Sequence, residues 1–544
     1  MIHTRQCSSL EKIFSDEAPR CEGFLGASVL LGERASFQLA FCSDGDARVS
    51  AMLSGSGAPD CQCFWVEEVP SSLPCFTDSD DYFLRRTPGY YPDLLRPADA
   101  PCEVPAGVWR SLWVTLCVEE LLEGPLTVRV TLRNEKNGES ATAAFRFTQI
   151  PSRLPKQTLL CTHWFHADCL ATYYDVPVFS EAHWAILERY IRCAAEQGIN
   201  LLLTPLFTPP LDTAVGGERP TVQLCAVSRK NNKYYFDFSR LDRWFRLCRA
   251  CGIERFELSP LFTQWGARFA PKIMATVEGK PCRLFGWETD ADSEDYTDFL
   301  TQLAAALLPF LEQAGVKELC YLHVSDEPSE EDLEVYARRC ALLRRIFPGL
   351  PTLDALSSLA IYKTGLVECP VPANSHIEAF VGEVSQLWTY YCCGQHKDYV
   401  SNRFFAMPSL RNRVLGFQLW KYRCTGFLHW GFNFWYARFS TRALDPFTET
   451  DAGGSFPSGD AFQVYPGADG VALLSLRLRV FYEALQDQRA LQRLEELTGY
   501  DATLAVLEEG LETPLTFKEY PHSEAWLLTA RERINAAILL ASRG

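Results

Sequence analysis

Tyr321-Leu322-His323-Val324-Ser325-Asp326-Glu327-Pro328 is the stretch on which the fold turns. Mostly apolar residues lead into two adjacent carboxylates and a proline, and a helix pattern starts at once with Ser329-Glu330-Glu331-Asp332. A strand that runs directly into a helix is the unit of a parallel sheet with crossover helices. Two neighbouring acids at the C-terminal end of a buried strand are costly unless they are paired or used. In an α/β barrel, that end of the strand is where active sites are built. The competing reading is structural, because Ser-Asp-Glu-Pro-Ser ahead of a helix is ordinary capping chemistry.

Outward from this stretch, the strand–helix rhythm holds over residues 157–490. Apolar runs at 158–166, 199–205, 253–260, 318–325, 352–357, 366–372, 386–392 and 426–433 read as eight strands. Ser180 caps a helix with Trp184, Leu187, Ile191 and Ala194 on one face, and Gly198 ends it. Ser239 opens another with Leu241, Trp244, Phe245 and Cys248, closed by Gly252. Ser293 caps a third, and a last long helix starts near Ser475. Long loops follow the second and third strands. The expected fold is α/β, a (β/α)8 TIM-type barrel. Residues 1–150 alternate polar and apolar in short runs punctuated by Gly, Pro, Asn and Asp, which predicts a β-sandwich domain. Within it, residues 88–93 read as a loop, either reaching a neighbouring domain or lying on the surface. Residues 491–544 read as a small C-terminal helical segment that packs on the barrel or mediates assembly into a homo-oligomer.

The bulk numbers agree. A chain of 544 residues exceeds one ordinary domain. A net charge of −16 argues against a nucleic-acid partner. No apolar run is long enough for a membrane span, and residues 1–7 hold no apolar signal region, so a cytoplasmic location is expected. The 21 cysteines are irregularly spaced, as in reduced, mostly buried thiols. Cys248 and Cys251 form a Cys-x-x-Cys with no second pair, and His163 and His166 lack a His-Glu-x-x-His, so neither metal nor cofactor is expected.

Adjacent carboxylates at a barrel strand end suit glycoside cleavage, which needs a proton donor for the leaving oxygen and stabilisation of an oxocarbenium-like centre. Glu327 has the longer arm and is the better acid. A covalent retaining mechanism needs a second carboxylate at about 5 Å. Strand seven, Leu387-Trp388-Thr389-Tyr390-Tyr391-Cys392, supplies none. Adjacent side chains at a strand end are expected to diverge, so Asp326 does not easily fill that role. Substrate assistance closes the gap: a 2-acetamido oxygen attacks the anomeric carbon while Asp326 orients the amide and Tyr390 or Tyr391 bonds its carbonyl. The company at the same rim is aromatic and polar: His163, Trp164 and His166 on strand one, Trp265 after strand three, Tyr390 and Tyr391, and His429, Trp430, Asn433 and Trp435 at strand eight. Sugar sites need such faces. Any one tryptophan here is better explained by core packing; the clustering is not. Two alternatives stay open. One is a hydrolase of non-acetylated glycosides with a second acid such as Asp354 or Glu378, and the other is a non-catalytic carbohydrate-binding barrel.

His-Val-Ser-Asp-Glu-Pro at 323–328 resembles the catalytic strand of glycoside hydrolase family 123 and of the related bacterial family known as domain of unknown function 4091. Supporting matches are Trp388-Thr389-Tyr390-Tyr391-Cys392, the segment 426–435, Tyr465-Pro466-Gly467 and Ser475-Leu476-Arg477 with Glu483 and Asp487. The resemblance covers about 150–490. It implies a sandwich ahead of the barrel and exo-acting β-N-acetylgalactosaminidase chemistry through an oxazolinium-type intermediate, with Asp326 orienting the acetamido group and Glu327 as acid/base. The implied partner is a carbohydrate, an oligosaccharide or glycoconjugate.

Overall fold

The structure is a computed structural model that describes residues 1–21, 23–328 and 330–543. Ser329, the first residue of the helix pattern quoted above, lies outside the described residues.

The N-terminal part forms two facing sheets. One runs Ile2–Ser8, Glu33–Ser43, Arg110–Val118, Cys61–Ser71, Gly89–Pro97 in hydrogen-bonded order. The other runs Ser28–Leu31, Ser140–Arg153, Leu126–Asn134, Ala47–Ser54, Cys102–Val104. Strict alternation drives the pairing. Val128, Val130 and Leu132 point inward against Phe145 and Phe147, while Arg129 and Arg133 point out. Phe37, Leu39 and Phe41 supply the facing layer, with Phe37 against Phe145 at 4.2 Å between ring centroids. The first sheet is also covered behind: Trp113 and Leu95 join Leu410, Phe417, Leu476, Leu491 and Ile534 in a second apolar cluster. Residues 88–93, expected as a loop, instead enter the strand Gly89–Pro97.

Eight parallel strands follow, Leu160–His163, Leu201–Thr204, Arg255–Leu258, Cys320–His323, Thr352–Ala355, Cys369–Val371, Leu387–Tyr390 and Cys424–His429. Seven of the eight fall inside the runs read from the sequence, and the eighth starts two residues ahead of its run; each is shorter because only the fully paired core counts as strand. Their sheet starts at the sixth strand, passes through the fifth, fourth, third, second, first and eighth, and ends at the seventh. A bridge between Ala373 and Tyr390 joins its two ends, leaving a nearly closed barrel. Leu201, Leu203, Leu353, Val371, Trp388 and Leu428 fill the interior. Gly426 is dictated by that filling, since a Cβ there would lie 2.0 Å from the Trp388 indole.

The predicted caps at Ser180 and Ser475 accept from the amides of His183 and Leu478 at 3.3 and 3.1 Å. Cys248 and Cys251 are buried in the helix–barrel core. After the eighth strand the chain makes a hairpin, Val464–Pro466 with Ala472–Ser475, whose second strand pairs with Gly89–Pro97 and completes the first sheet. Arg477, just beyond it, holds Asp93 at 2.8 Å. The helices Leu476–Thr498 and Glu524–Ala541 then pack together. Arg531 of the latter bonds Asp487 at 2.7 Å and Glu33 at 2.9 Å, and Arg413 bonds Asp487 and Glu483 at 2.7 and 2.9 Å.

The long loops after the second and third strands carry structure that the sequence reading lacks. Two hairpins, Ala226–Lys230 with Lys233–Asp237 and Ile273–Val277 with Lys280–Phe285, join into a four-stranded sheet. Their turns are Asn231-Asn232 and Glu278-Gly279, all four residues at positive φ, the twist that two-residue hairpin turns require. No helix among the described residues is long and apolar enough to cross a membrane.

Candidate active site

A cavity of about 370 Å³ opens at the C-terminal ends of the barrel strands. That volume accommodates one sugar ring more readily than an extended chain. Asp326 and Glu327 both line it. Adjacent residues on a strand end were expected to diverge. The backbone explains the difference: Glu327 has φ +44°, a left-handed conformation that costs a non-glycine residue about 1–3 kcal/mol and swings its side chain to the same side as Asp326. The turn is pinned from above, where Trp265, itself at φ +55°, donates its amide to the Asp326 carbonyl at 3.2 Å. Across the mouth, the Tyr390 hydroxyl donates to Glu327 Oε1 at 2.6 Å.

Beneath the pair lies a buried ionic chain. His323 Nδ1 meets Glu257 Oε1 at 2.6 Å, and its Nε2 meets Asp354 Oδ1 at 3.2 Å. Glu257 also accepts from the Trp164 indole at 3.1 Å, and Asp354 accepts from the Tyr336 hydroxyl at 2.7 Å and the Ser325 amide at 3.2 Å. Burial works against charge on His323, but Asp354 and Glu257 outweigh it and hold the imidazole well above its usual range. Burial and the neighbouring Glu327 push the Asp326 carboxyl well up, and the His323 cation opposes them. His323, Asp326 and Asp354 bring ligand-type atoms within 4.8 Å of one another. With both ring nitrogens turned to carboxylates, however, His323 carries protons where a metal ligand needs a lone pair.

A model of the glycoside hydrolase 123 catalytic domain matches residues 164–494, more than half of the chain. The chain belongs to glycoside hydrolase family 123. A solved family 123 glycoside hydrolase from Clostridium perfringens aligns with TM-score 0.78 at 14% identity, over 100% of this chain and 99% of that one. At that identity the likeness speaks for the fold. A β-glucuronidase from Bacteroides uniformis (TM-score 0.30, 11% identity, 88% of this chain and 52% of that one) is more distant. So is an endo-β-1,4-mannanase from Thermotoga petrophila (TM-score 0.33, 12%, 61% and 77%). No curated protein matches the chain.

The family 123 pocket gathers Trp164, His166, Trp265, Tyr390 and Trp430 around Asp326 and Glu327. Five other residues expected at the rim lie elsewhere. His163, Tyr391 and His429 each precede or follow a pocket residue by one, and strand alternation sends them to the opposite face. There they are fully buried with Phe427 between barrel and helices. Asn433 staples the first loop, accepting from the His166 amide at 2.9 Å and donating to its carbonyl at 3.0 Å. Trp435 packs edge-on to Tyr173 and Tyr190. Asp354 and Glu378, the alternative second acids, do not line the cavity; Asp354 is consumed by the chain beneath it, and Glu378 is exposed beside Tyr422.

Behind and within the pocket wall lie residues that nothing in the sequence singled out. Asp168 and Arg219 form a buried two-pronged pair at 2.7 and 2.8 Å. Arg219 also donates to His166 Nδ1 at 3.0 Å and to the Leu211 carbonyl at 3.0 Å. His166 Nε2 therefore carries the ring proton, facing the Trp430 carbonyl at 3.1 Å. Burial and Arg219 keep this imidazole neutral, its pKa lowered to about 3, so it braces the wall and has no free nitrogen for acid–base work. Asp212, Gln264, Cys392, Cys393 and Arg438 also line the cavity. Trp430 rests on Asp460, donating to its carboxylate at 2.9 Å.

Proposed function

We propose that the chain is a retaining glycosidase that removes a terminal β-linked 2-acetamido sugar, N-acetylgalactosamine by preference, with the substrate's own acetamido oxygen as nucleophile. The observation that carries this reading is the placing of Asp326 and Glu327 side by side in a sugar-sized cavity whose seventh-strand side presents a tyrosine and no acid. Glu327 protonates the leaving oxygen. Asp326 accepts the acetamido N–H and stabilises the positive charge that grows as the carbonyl oxygen closes on the anomeric carbon, giving an oxazolinium. Glu327, now a carboxylate, takes a proton from the water that opens it, and the configuration is retained. Two close carboxylates titrate as a pair. The His323 cation behind Asp326 favours charge on that carboxyl, against burial and the neighbouring Glu327. Tyr390 passes from Glu327 to the acetamido carbonyl as substrate enters. We read the nearly closed sheet as the (β/α)8 scaffold of this chemistry. The C. perfringens relative is described as acting in glycolipid glycan hydrolysis, and a glycoconjugate is the natural substrate class here too.

Hydrolysis of p-nitrophenyl N-acetyl-β-galactosaminide and its glucosamine counterpart by wild type and Glu327→Gln tests the reading. Activity confined to glycosides without the acetamido group would sink it. Asp212, the further carboxylate in the cavity among the described residues, would then be the nucleophile to look for by trapping a covalent adduct.

A further inference from the structure

Gln264 and Asp212 sit side by side in the cavity, on the loops that follow the third and second barrel strands. Gln264 is 5% exposed. Its Oε1 accepts from the Asp212 amide at 2.6 Å, which fixes the side-chain amide, because only the oxygen can face a donor. Its Nε2 is thereby turned away, and it is buried without any hydrogen-bond partner among the described residues. A buried amide nitrogen left unsatisfied destabilises the fold unless a ligand bonds it. Asp212 is held as firmly. Its Oδ2 accepts from the Phe439 amide at 3.0 Å and its carbonyl from the Ser440 hydroxyl at 2.6 Å, at φ +42°. Its Oδ1 takes no bond from the protein among the described residues, and burial pushes the carboxyl up to about 6, still ionised near neutral pH.

The result is a rigid pair with one spare donor and one spare acceptor on two side chains that line a sugar-sized space. Vicinal hydroxyls are the ligand chemistry that uses both, since each hydroxyl accepts one bond and donates one. We propose that Gln264 and Asp212 are the specificity-determining clamp of this enzyme, reading the C3 and C4 hydroxyls of the terminal sugar. The assignment to those carbons rests on the reading above. With the acetamido group on C2 at Asp326 and the scissile bond at Glu327, the ring edge left over is C3–C4. C4 is also the centre that separates galacto- from gluco-configured sugars, so the clamp decides between them.

The test compares wild type with Gln264→Leu and Gln264→Glu on a full substrate and on its 3-deoxy, 4-deoxy and 6-deoxy analogues. Gln264→Glu keeps the oxygen that Asp212 needs, so it guards against a mere folding defect, with melting temperature as the check. Losing the donor lowers kcat/KM on the full substrate about 10-fold or more. The loss disappears on the 3-deoxy or 4-deoxy analogue and persists on the 6-deoxy one. Equal loss on all three analogues, cancellation only on the 6-deoxy analogue, or no loss at all overturns the clamp. Wild type is first scanned across 2-acetamido and plain glycosides. If only plain glycosides are cleaved, the acetamido reading fails, while the clamp is still judged on the deoxy forms of that sugar. Where turnover is too slow, quenching of the pocket tryptophans by the free sugars and their deoxy forms gives the same comparison.

Discussion

Tyr390 donates to Glu327 across the barrel mouth at 2.6 Å, joining the seventh strand to the end of the fourth. Where many barrel glycosidases of the retaining type need a second acid, this one places a phenol. Burial and the charge of Glu327 push the phenol well above its ordinary range, so it remains a donor at every working pH. Tyr390→Phe should therefore lower kcat about 10- to 100-fold, the worth of one charge-assisted hydrogen bond. The loss should be the same at pH 5 and pH 8. A loss that grows toward alkaline pH would mean that the phenol itself titrates.

On the proposed mechanism Glu327 and Asp326 have different duties and should fail differently. Glu327→Gln removes the proton donor, so the defect should reach about 10²–10⁴-fold with poor leaving groups. It should shrink with a dinitrophenyl leaving group that needs no protonation. Asp326→Asn removes the charge that steadies the oxazolinium and should be equally damaging with both. A series of aryl glycosides decides, and parallel losses in the two variants would refute the division of labour.

On the same mechanism His323 is expected to act through Asp326 and not on the substrate. Its cation lowers the Asp326 carboxyl against burial and Glu327. Replacing it with glutamine should let that carboxyl rise further, moving the acid limb of the kcat/KM profile to higher pH. The same change leaves Glu257 and Asp354 buried without their shared cation, a cost on the order of 3–5 kcal/mol. A variant that melts lower but keeps the wild-type profile would reduce His323 to a structural part.

Asp460 supplies a stability test with a definite sign. Burial, first among the causes, raises its carboxyl from 3.8 to about 7. Folding thus favours the protonated form, and the wild type should lose stability as pH climbs from about 4 to about 7. Asp460→Asn keeps an oxygen for Trp430 and has no such loss. Its melting temperature should match wild type near pH 4 and exceed it at pH 8.

The C-terminal helix is a second place where charge is buried with little slack. Arg531 and Arg413 serve three acids, Glu33, Glu483 and Asp487. Arg531→Met should cost about 3–5 kcal/mol by taking the cation from Glu33 and leaving Asp487 to Arg413 alone. Urea unfolding of that variant measures it, and an unchanged midpoint would mean that the network relaxes by protonation.

Much of the barrel was legible because its strands are short apolar runs set off by Gly or Pro, and because Ser180 and Ser475 announce the helices behind them. The acidic pair that lines the cavity was legible for the same reason: carboxylates at 326 and 327 interrupt such a run. Strand parity was also available. Counting from Trp164 in steps of two excludes His163, and counting from Tyr390 excludes Tyr391, yet a cluster of aromatic letters hides that rule. Asp212, Gln264 and Arg219 come from long loops without periodicity, and Arg219 meets Asp168 across 51 residues. Nothing local marks them. Asn231-Asn232 is a turn signal inside one of these loops, but only flanking alternation shows that strands lie on either side.

The hairpin 464–475 has a practical meaning. Its second strand is hydrogen-bonded to Gly89–Pro97, and Arg477 beyond it neutralises Asp93 inside the same layer. A fragment ending after residue 155 would expose the open edge of that strand to other molecules and leave Asp93 in the interior without its Arg477 partner. Exposed edges of this kind invite intermolecular pairing. The front third of the chain is thus no detachable module: expressed alone it should aggregate, and grafting it onto another barrel would require carrying residues 464–477 along with it.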